Sequence, residues 1–187
     1  QPGFITAHFP ARVTEMCGPI APGSMLAGLG LSSTSALGAI AISIIGLANI
    51  AGTLAAGCLG KRYSKKYMLA IVYALRTFVS AAFILTPMTP ATVILFSLGM
   101  GALWLATVPL TSGLVAYIYG IRYMGTLYGI VFLSHQIGSF LGVWLGGRLY
   151  DAYGNYTAVW WVGVGIGAFS ALVHLPIRER PLPALAA

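Results

Sequence analysis

From Ser33 to Leu175 this chain is a succession of apolar runs parted by charge, Pro or Gly, and that pattern leaves few possible folds. The runs cover about Ser33 to Gly57, Tyr67 to Leu85, Ala91 to Tyr117, Met124 to Gly147 and Tyr156 to Leu175. A helix crossing a bilayer needs roughly 20 apolar residues, and each run is near that length. Lipid offers the backbone no water to bond, so such segments must be helical. The fold class is therefore all-α: a polytopic membrane helix bundle with five complete spans.

Composition agrees. Apolar residues make up 58% of the chain and charged residues 7%, where soluble domains carry about 25% charge. The mean hydropathy is +0.89. A net charge of +7 would suit nucleic acid, but the basic residues fall at the ends of the apolar runs instead of on one solvated face, so no nucleic-acid partner is expected. The partner this composition demands is the lipid bilayer.

Charge also orients the bundle. Lys61, Arg62, Lys65 and Lys66 share one side with Arg122, Arg178 and Arg180, while the other side holds Arg12 and Arg148 beside Glu15 and Asp151. Basic loops stay inside. The expected protein is thus a multi-pass protein of the cell (inner) membrane with a cytoplasmic C-terminus. Residues 33–177 form the five-span bundle and 178–187 a cytoplasmic tail. Residues 1–32 read as the outer end of a truncated span, Gly3 to Pro10, followed by a Gly- and Pro-rich outer loop. The start at Gln1 suggests a fragment. Cys17 and Cys58 fall at opposite faces, so no disulfide is expected.

Two motifs carry a resemblance. The stretch Gly57-Cys58-Leu59-Gly60-Lys61-Arg62-Tyr63-Ser64-Lys65-Lys66 resembles the loop motif Gly-x-Leu-x-Asp-Arg-x-Gly-Arg-Lys of the major facilitator superfamily of transporters. Gly57 and Leu59 would let helices approach, and Arg62, Lys65 and Lys66 supply the basic positions. Lys61 stands where the family usually has Asp, reversing the charge of a residue that helps close the cytoplasmic gate. The run from Gly146 to Tyr156, with Arg148 and Asp151, followed by Trp160 and Trp161, is similar to the end of the eleventh span in the monocarboxylate-transporter branch. The resemblance covers nearly the whole chain and implies the C-terminal six-helix half of that fold. It further implies a missing N-terminal six-span half, a small-molecule solute and, as a coupling partner, protons.

Polar groups inside the spans are the candidate binding residues, because each is costly in lipid. His135 and Gln136 lie near the centre of the fourth run, where a transporter site is expected. Histidine there could hold a carboxylate or carry a proton, or form an interhelical hydrogen bond. Ser139 and Gly142 continue that face. Trp104, Thr107 and Thr111 repeat at i, i+3 and i+7, placing them on one helix face, with Pro109 expected to bend the span. Arg76 lies mid-span and binds solute, snorkels toward the cytoplasm, or bonds backbone carbonyls of a neighbour. Asn49 reads as a weaker candidate or as packing glue. Arg148 and Asp151, three apart, form a local pair or a latch at the outer mouth.

No Asp or Glu falls inside any of the five runs. The resembled branch uses an Asp and an Arg on its eighth span, and Ser33 to Gly57 has neither. Enzymatic readings fail on their own terms. A His-Glu-x-x-His zinc helix and paired intramembrane acids are missing, and Ser112 with His135 lacks the setting of a serine nucleophile. No metal or cofactor is expected. The function implied is alternating-access transport of a small organic anion such as a monocarboxylate, coupled to protons. The alternative is a non-transporting fragment or accessory subunit that needs a partner half.

Overall fold

The computed structural model describes Phe9, Val13 and residues 34–87 and 89–182. The expected span remnant and outer loop of residues 1–32 lie outside the described residues apart from Phe9 and Val13.

From residue 34 onward the described residues form six helices: α1 Thr34–Leu59, α2 Lys65–Leu85, α3 Pro90–Leu103, α4 Thr107–Tyr119, α5 Met124–Tyr153 and α6 Thr157–His174. Five stretches are long and apolar enough to cross a membrane, with α3 and α4 together making one of them. The architecture is all-helical, as the apolar runs require.

Local chemistry sets the helix ends. Thr89 and Thr92 form a reciprocal capping box ahead of α3, with Thr92 N–H donating to Thr89 Oγ1 at 3.2 Å and Thr89 N–H donating to Thr92 Oγ1 at 2.9 Å. Pro90 then occupies the first helical turn, where its missing N–H costs nothing. Asn155 Oδ1 accepts the Thr157 N–H at 3.0 Å at the start of α6. Helix α5 runs six residues past Gly147, the expected end of its span, and stops at Gly154, whose φ of 67° suits a residue without Cβ.

Helix α1 packs mainly on α3, and α2 mainly on α6, with α2 also touching α3 and α4. These contacts enclose two apolar clusters. One, at the end of the bundle away from the basic loop, gathers Phe83, Phe96, Met100, Trp104 and Trp160 around Phe9. Its rings lie close, with Phe83 and Phe96 stacked at 4.3 Å between centroids. The other, near the basic loop, joins Ala56, Leu69, Val72, Ala106, Leu110 and Leu114. Lipid tails are as apolar as these side chains, so dispersion and close fit hold the helices together more than exclusion of water does. Helix α5 differs: it leans on α4 and α6, and Gly146 is its one buried residue.

Candidate functional site

The third apolar run is where sequence and structure part. A continuous helix was expected with a bend at Pro109, but the chain leaves the helix at Trp104–Ala106 and resumes at Thr107. Proline lacks an N–H and its ring crowds the carbonyl four residues earlier, so a helix meeting Pro109 breaks near Leu105. Pro109 itself sits in the first turn of α4. At the break the Trp104 N–H turns to Gly101 O at 3.0 Å, and the Leu105 N–H reaches the side chain of Asn49 on α1, donating to Oδ1 at 3.0 Å. Thr53 donates its hydroxyl to the same oxygen at 3.2 Å.

Asn49 thus caps an interrupted helix, the packing role the sequence left open for it. The helices must come close for this to happen. A Cβ on Gly52 would stand 1.8 Å from the carbonyl oxygen of Ala102, and one on Gly101 would stand 2.6 Å from that of Ile45. Those two glycines therefore set the α1–α3 separation.

The break also changes the grouping expected of Trp104, Thr107 and Thr111. Their spacing shares a face only along an unbroken helix. Trp104 instead closes α3 and is 9% exposed within the aromatic cluster, while Thr107 opens α4. Its expected place on a cavity face is corrected: the indole is part of the core.

His135 and Gln136 lie midway along α5 and are exposed. His135 Nδ1 is 3.3 Å from Gln136 Oε1, and its ring stacks parallel to Phe132 at 6.1 Å. One turn further, Ser139 is half-buried. The centre of this helix therefore presents an imidazole, an amide and a hydroxyl to whatever lies beside it.

Arg76 is 2% exposed on the buried face of α2. Its guanidinium carbon sits 5.7 Å from the centre of the Tyr73 ring, and Nε and Nη2 find no hydrogen-bond partner among the described residues. Neighbouring carbonyls among the described residues leave these two nitrogens unbonded. No hydrogen bond, ion pair or ring contact among the described residues links it to His135, Gln136, Thr107 or Asn49. The sequence candidates therefore divide into three places: the α3–α4 break, the middle of α5 and the interior of α2.

The basic loop is arranged differently from its reading in sequence. Gly57 lies inside α1 with only ordinary contact to Pro109, whereas Gly60 is the tight position, a Cβ there meeting Leu110 at 3.0 Å. Leu59 ends α1 and is 45% exposed, so the helix approach expected of Gly57 and Leu59 belongs to Gly60. Lys61 and Arg62 are exposed, and Lys65 and Lys66 open α2. Two lysines at a helix N-terminus oppose the helix dipole.

The compensating charge comes from the far end of the chain. Glu179 accepts the Ser64 hydroxyl and the backbone N–H groups of Lys65 at 3.1 Å and Lys66 at 3.4 Å. Its carboxylate also stands 3.8 Å from Lys65 Nζ. Burial works to raise the Glu179 pKa, but these hydrogen bonds and the Lys65 charge outweigh it and hold the carboxyl below its ordinary value. Sequence reasoning missed Glu179, although it is one of only three acids in the chain. At the opposite end Arg148 and Asp151 make no ion pair with each other, and Arg148 lies over the Trp144 ring at 5.7 Å.

A bundle of membrane-length helices, one of them interrupted and capped by its neighbour, is compatible with a membrane transport protein, where interrupted helices recur. The family model described as Major Facilitator Superfamily matches residues 5–187. The chain belongs to that superfamily, and its work is membrane transport. No curated protein and no solved structure matches it.

Proposed function

We propose that this chain is the C-terminal half of a secondary transporter that carries a small organic anion, foremost a monocarboxylate, by alternating access with proton symport. The observation that carries the reading is α5: a membrane-length helix with His135 and Gln136 exposed at its centre and almost nothing of the described chain packed on it. A polar group left facing lipid would be costly. A water-filled path between two halves is the setting in which such a helix is stable.

In this reading His135 donates to the solute carboxylate and changes protonation through the cycle. Gln136 adds a second donor. Thr107 and Asn49, at the interrupted span, are the further candidates, and Arg76 supplies a buried positive charge that favours an anion nearby. The N-terminal six-span half stands across that water-filled path from the middle of α5 and completes it. The basic loop, Gly57 to Lys66, faces the cytoplasm at the inner membrane and works as the gate, with Glu179 supplying the acid that Lys61 displaces. Arg148 and Asp151 lie at the outer mouth.

Uptake of labelled lactate and related carboxylates into proteoliposomes tests this, with the full reading frame and with this chain alone, each with and without a pH gradient. Gradient-driven uptake by the full frame that falls at least tenfold in His135→Ala supports the reading. Absence of uptake across a broad carboxylate panel removes the monocarboxylate assignment. Uptake unaffected by His135→Ala removes that residue's role.

A further inference from the structure

At the end of the bundle bearing the basic loop, the loop and the C-terminal segment wall a cleft of about 830 Å³. Lys61, Arg62, Lys65, Lys66, Arg178 and Arg180 line it, with Glu179 as the single acid. Glu179 is committed to the start of α2 and to Lys65. Lys61, Arg62, Arg178 and Arg180 have no ion-pair partner among the described residues. The arginine-bearing segment is held in place, because the Leu182 N–H donates to Ile118 O at 2.9 Å and Lys66 Nζ donates to Leu175 O at 3.4 Å. The cleft is thus an ordered, strongly positive site with too few anions of its own.

A second hollow adjoins it. Tyr67, Ala70, Ile71 and Ala74 of α2 face Ala171, Leu172 and Leu175 across an apolar groove of about 290 Å³. Three alanines open the space between α2 and α6. Lys66 lines the cleft and bonds the carbonyl of Leu175, which lines the groove, so the two hollows meet there. Tyr63, Tyr67 and Tyr117 are 61%, 53% and 48% exposed at this level. Exposed tyrosines mark the headgroup depth of a bilayer.

From this juxtaposition we infer a binding site for an anionic phospholipid: the phosphate headgroup in the cleft, an acyl chain in the α2–α6 groove. A soluble phosphate would use the cleft alone. A zwitterionic lipid would fill the groove without answering the excess positive charge. Basic pockets between spans recognise anionic headgroups on these grounds, each cation near the surface contributing about a fivefold preference. Because the tail supplies two of the cations and is clamped to α2 by Glu179, the bound lipid would tie the last helix to the basic loop.

Native mass spectrometry of the purified, delipidated protein tests the site, titrating phosphatidylglycerol against phosphatidylcholine of the same chain length. The expected result is preferential retention of phosphatidylglycerol by roughly tenfold or more. Arg178→Gln with Arg180→Gln should remove most of that preference. Ala74→Leu with Ala171→Leu, filling the groove, should weaken phosphatidylglycerol without creating a preference for the zwitterion. Circular dichroism and a monodisperse elution profile confirm that the variants are folded, and the unsubstituted protein carries the test if they are not. Equal retention of the two lipids overturns the proposal. So does phosphatidylglycerol binding that millimolar inorganic phosphate abolishes and the groove variants leave unchanged, which would make the cleft a site for free anions.

Discussion

Helices α1 and α5 carry similar glycine-rich apolar sequences, yet the structure uses them in opposite ways. On α1, Gly52 meets the backbone of Ala102 so closely that no side chain fits between. On α5, Gly125, Gly129, Gly138 and Gly147 would each accept a Cβ with nothing within 4 Å. Small residues in spans let helices approach. The contrast shows that composition identifies helices able to pack closely, while the partner decides which of them do so.

That difference can be broken by substitution, and the largest effect is expected at the tight contact. Gly52→Ala drives Cβ into a backbone carbonyl that has no side-chain freedom to yield. The expected cost is about 3 kcal/mol, read as a lower Tm of the purified protein in detergent. Gly101→Ala, against the backbone of Ile45, should behave alike. If both variants keep the parental Tm, the close approach of α1 and α3 is wrong.

Next comes the capped break. Asn49→Ala removes the acceptor of the Leu105 N–H, an unmade bond costing about 1–2 kcal/mol. Amide hydrogen exchange at Leu105 should quicken while exchange in the middle of α2 stays unchanged. Unaltered exchange at Leu105 would mean that the break is held by something else.

The Glu179 clamp is a smaller term at the edge of the packed region, worth about 1 kcal/mol by analogy with other helix N-terminal caps. Its carboxyl has a lowered pKa, so the clamp is fully present above the ordinary glutamate range. It is lost only as the pH falls through the lowered value. Glu179→Gln should therefore speed exchange at the Lys65 and Lys66 N–H groups at neutral pH and remove the acid-induced loosening of the tail. A tail that loosens in acid equally in E179Q would assign the effect to another group.

The smallest effect belongs to α5. Gly138→Ala meets open space, and alanine favours helix over glycine by up to about 1 kcal/mol. Tm should hold or rise slightly. A marked fall would show that α5 packs far more closely than its exposed surface indicates.

The same contrast explains how much the sequence revealed. The spans were legible because apolar length is a local property, and Arg76 and His135 stood out because each is expensive where it lies. Pro109 signalled a bend in the third span, but a full break at Trp104–Ala106 also needs Asn49, on another helix, to accept the freed Leu105 N–H. Trp104 was misplaced for the same reason, its face having been counted along a helix that does not continue. Glu179 was invisible because it acts on residues more than a hundred positions away, a distance that no periodicity spans. The superfamily motif guided attention to Gly57 and Leu59, whereas the geometry makes Gly60 the residue in tight contact.

The central claim is that the middle of α5 faces an aqueous path while the α1–α3 contact is sealed. Cysteine accessibility measures it directly, in intact membranes containing the full reading frame with Cys17 and Cys58 replaced by Ser. Ser139→Cys should react with a membrane-impermeant maleimide and be protected by the carboxylate proposed as substrate, while Ser97→Cys, at 0% exposure in α3, should stay inert. Inertness of Ser139→Cys under conditions where an exposed loop cysteine reacts would place α5 against lipid or protein and contradict the account.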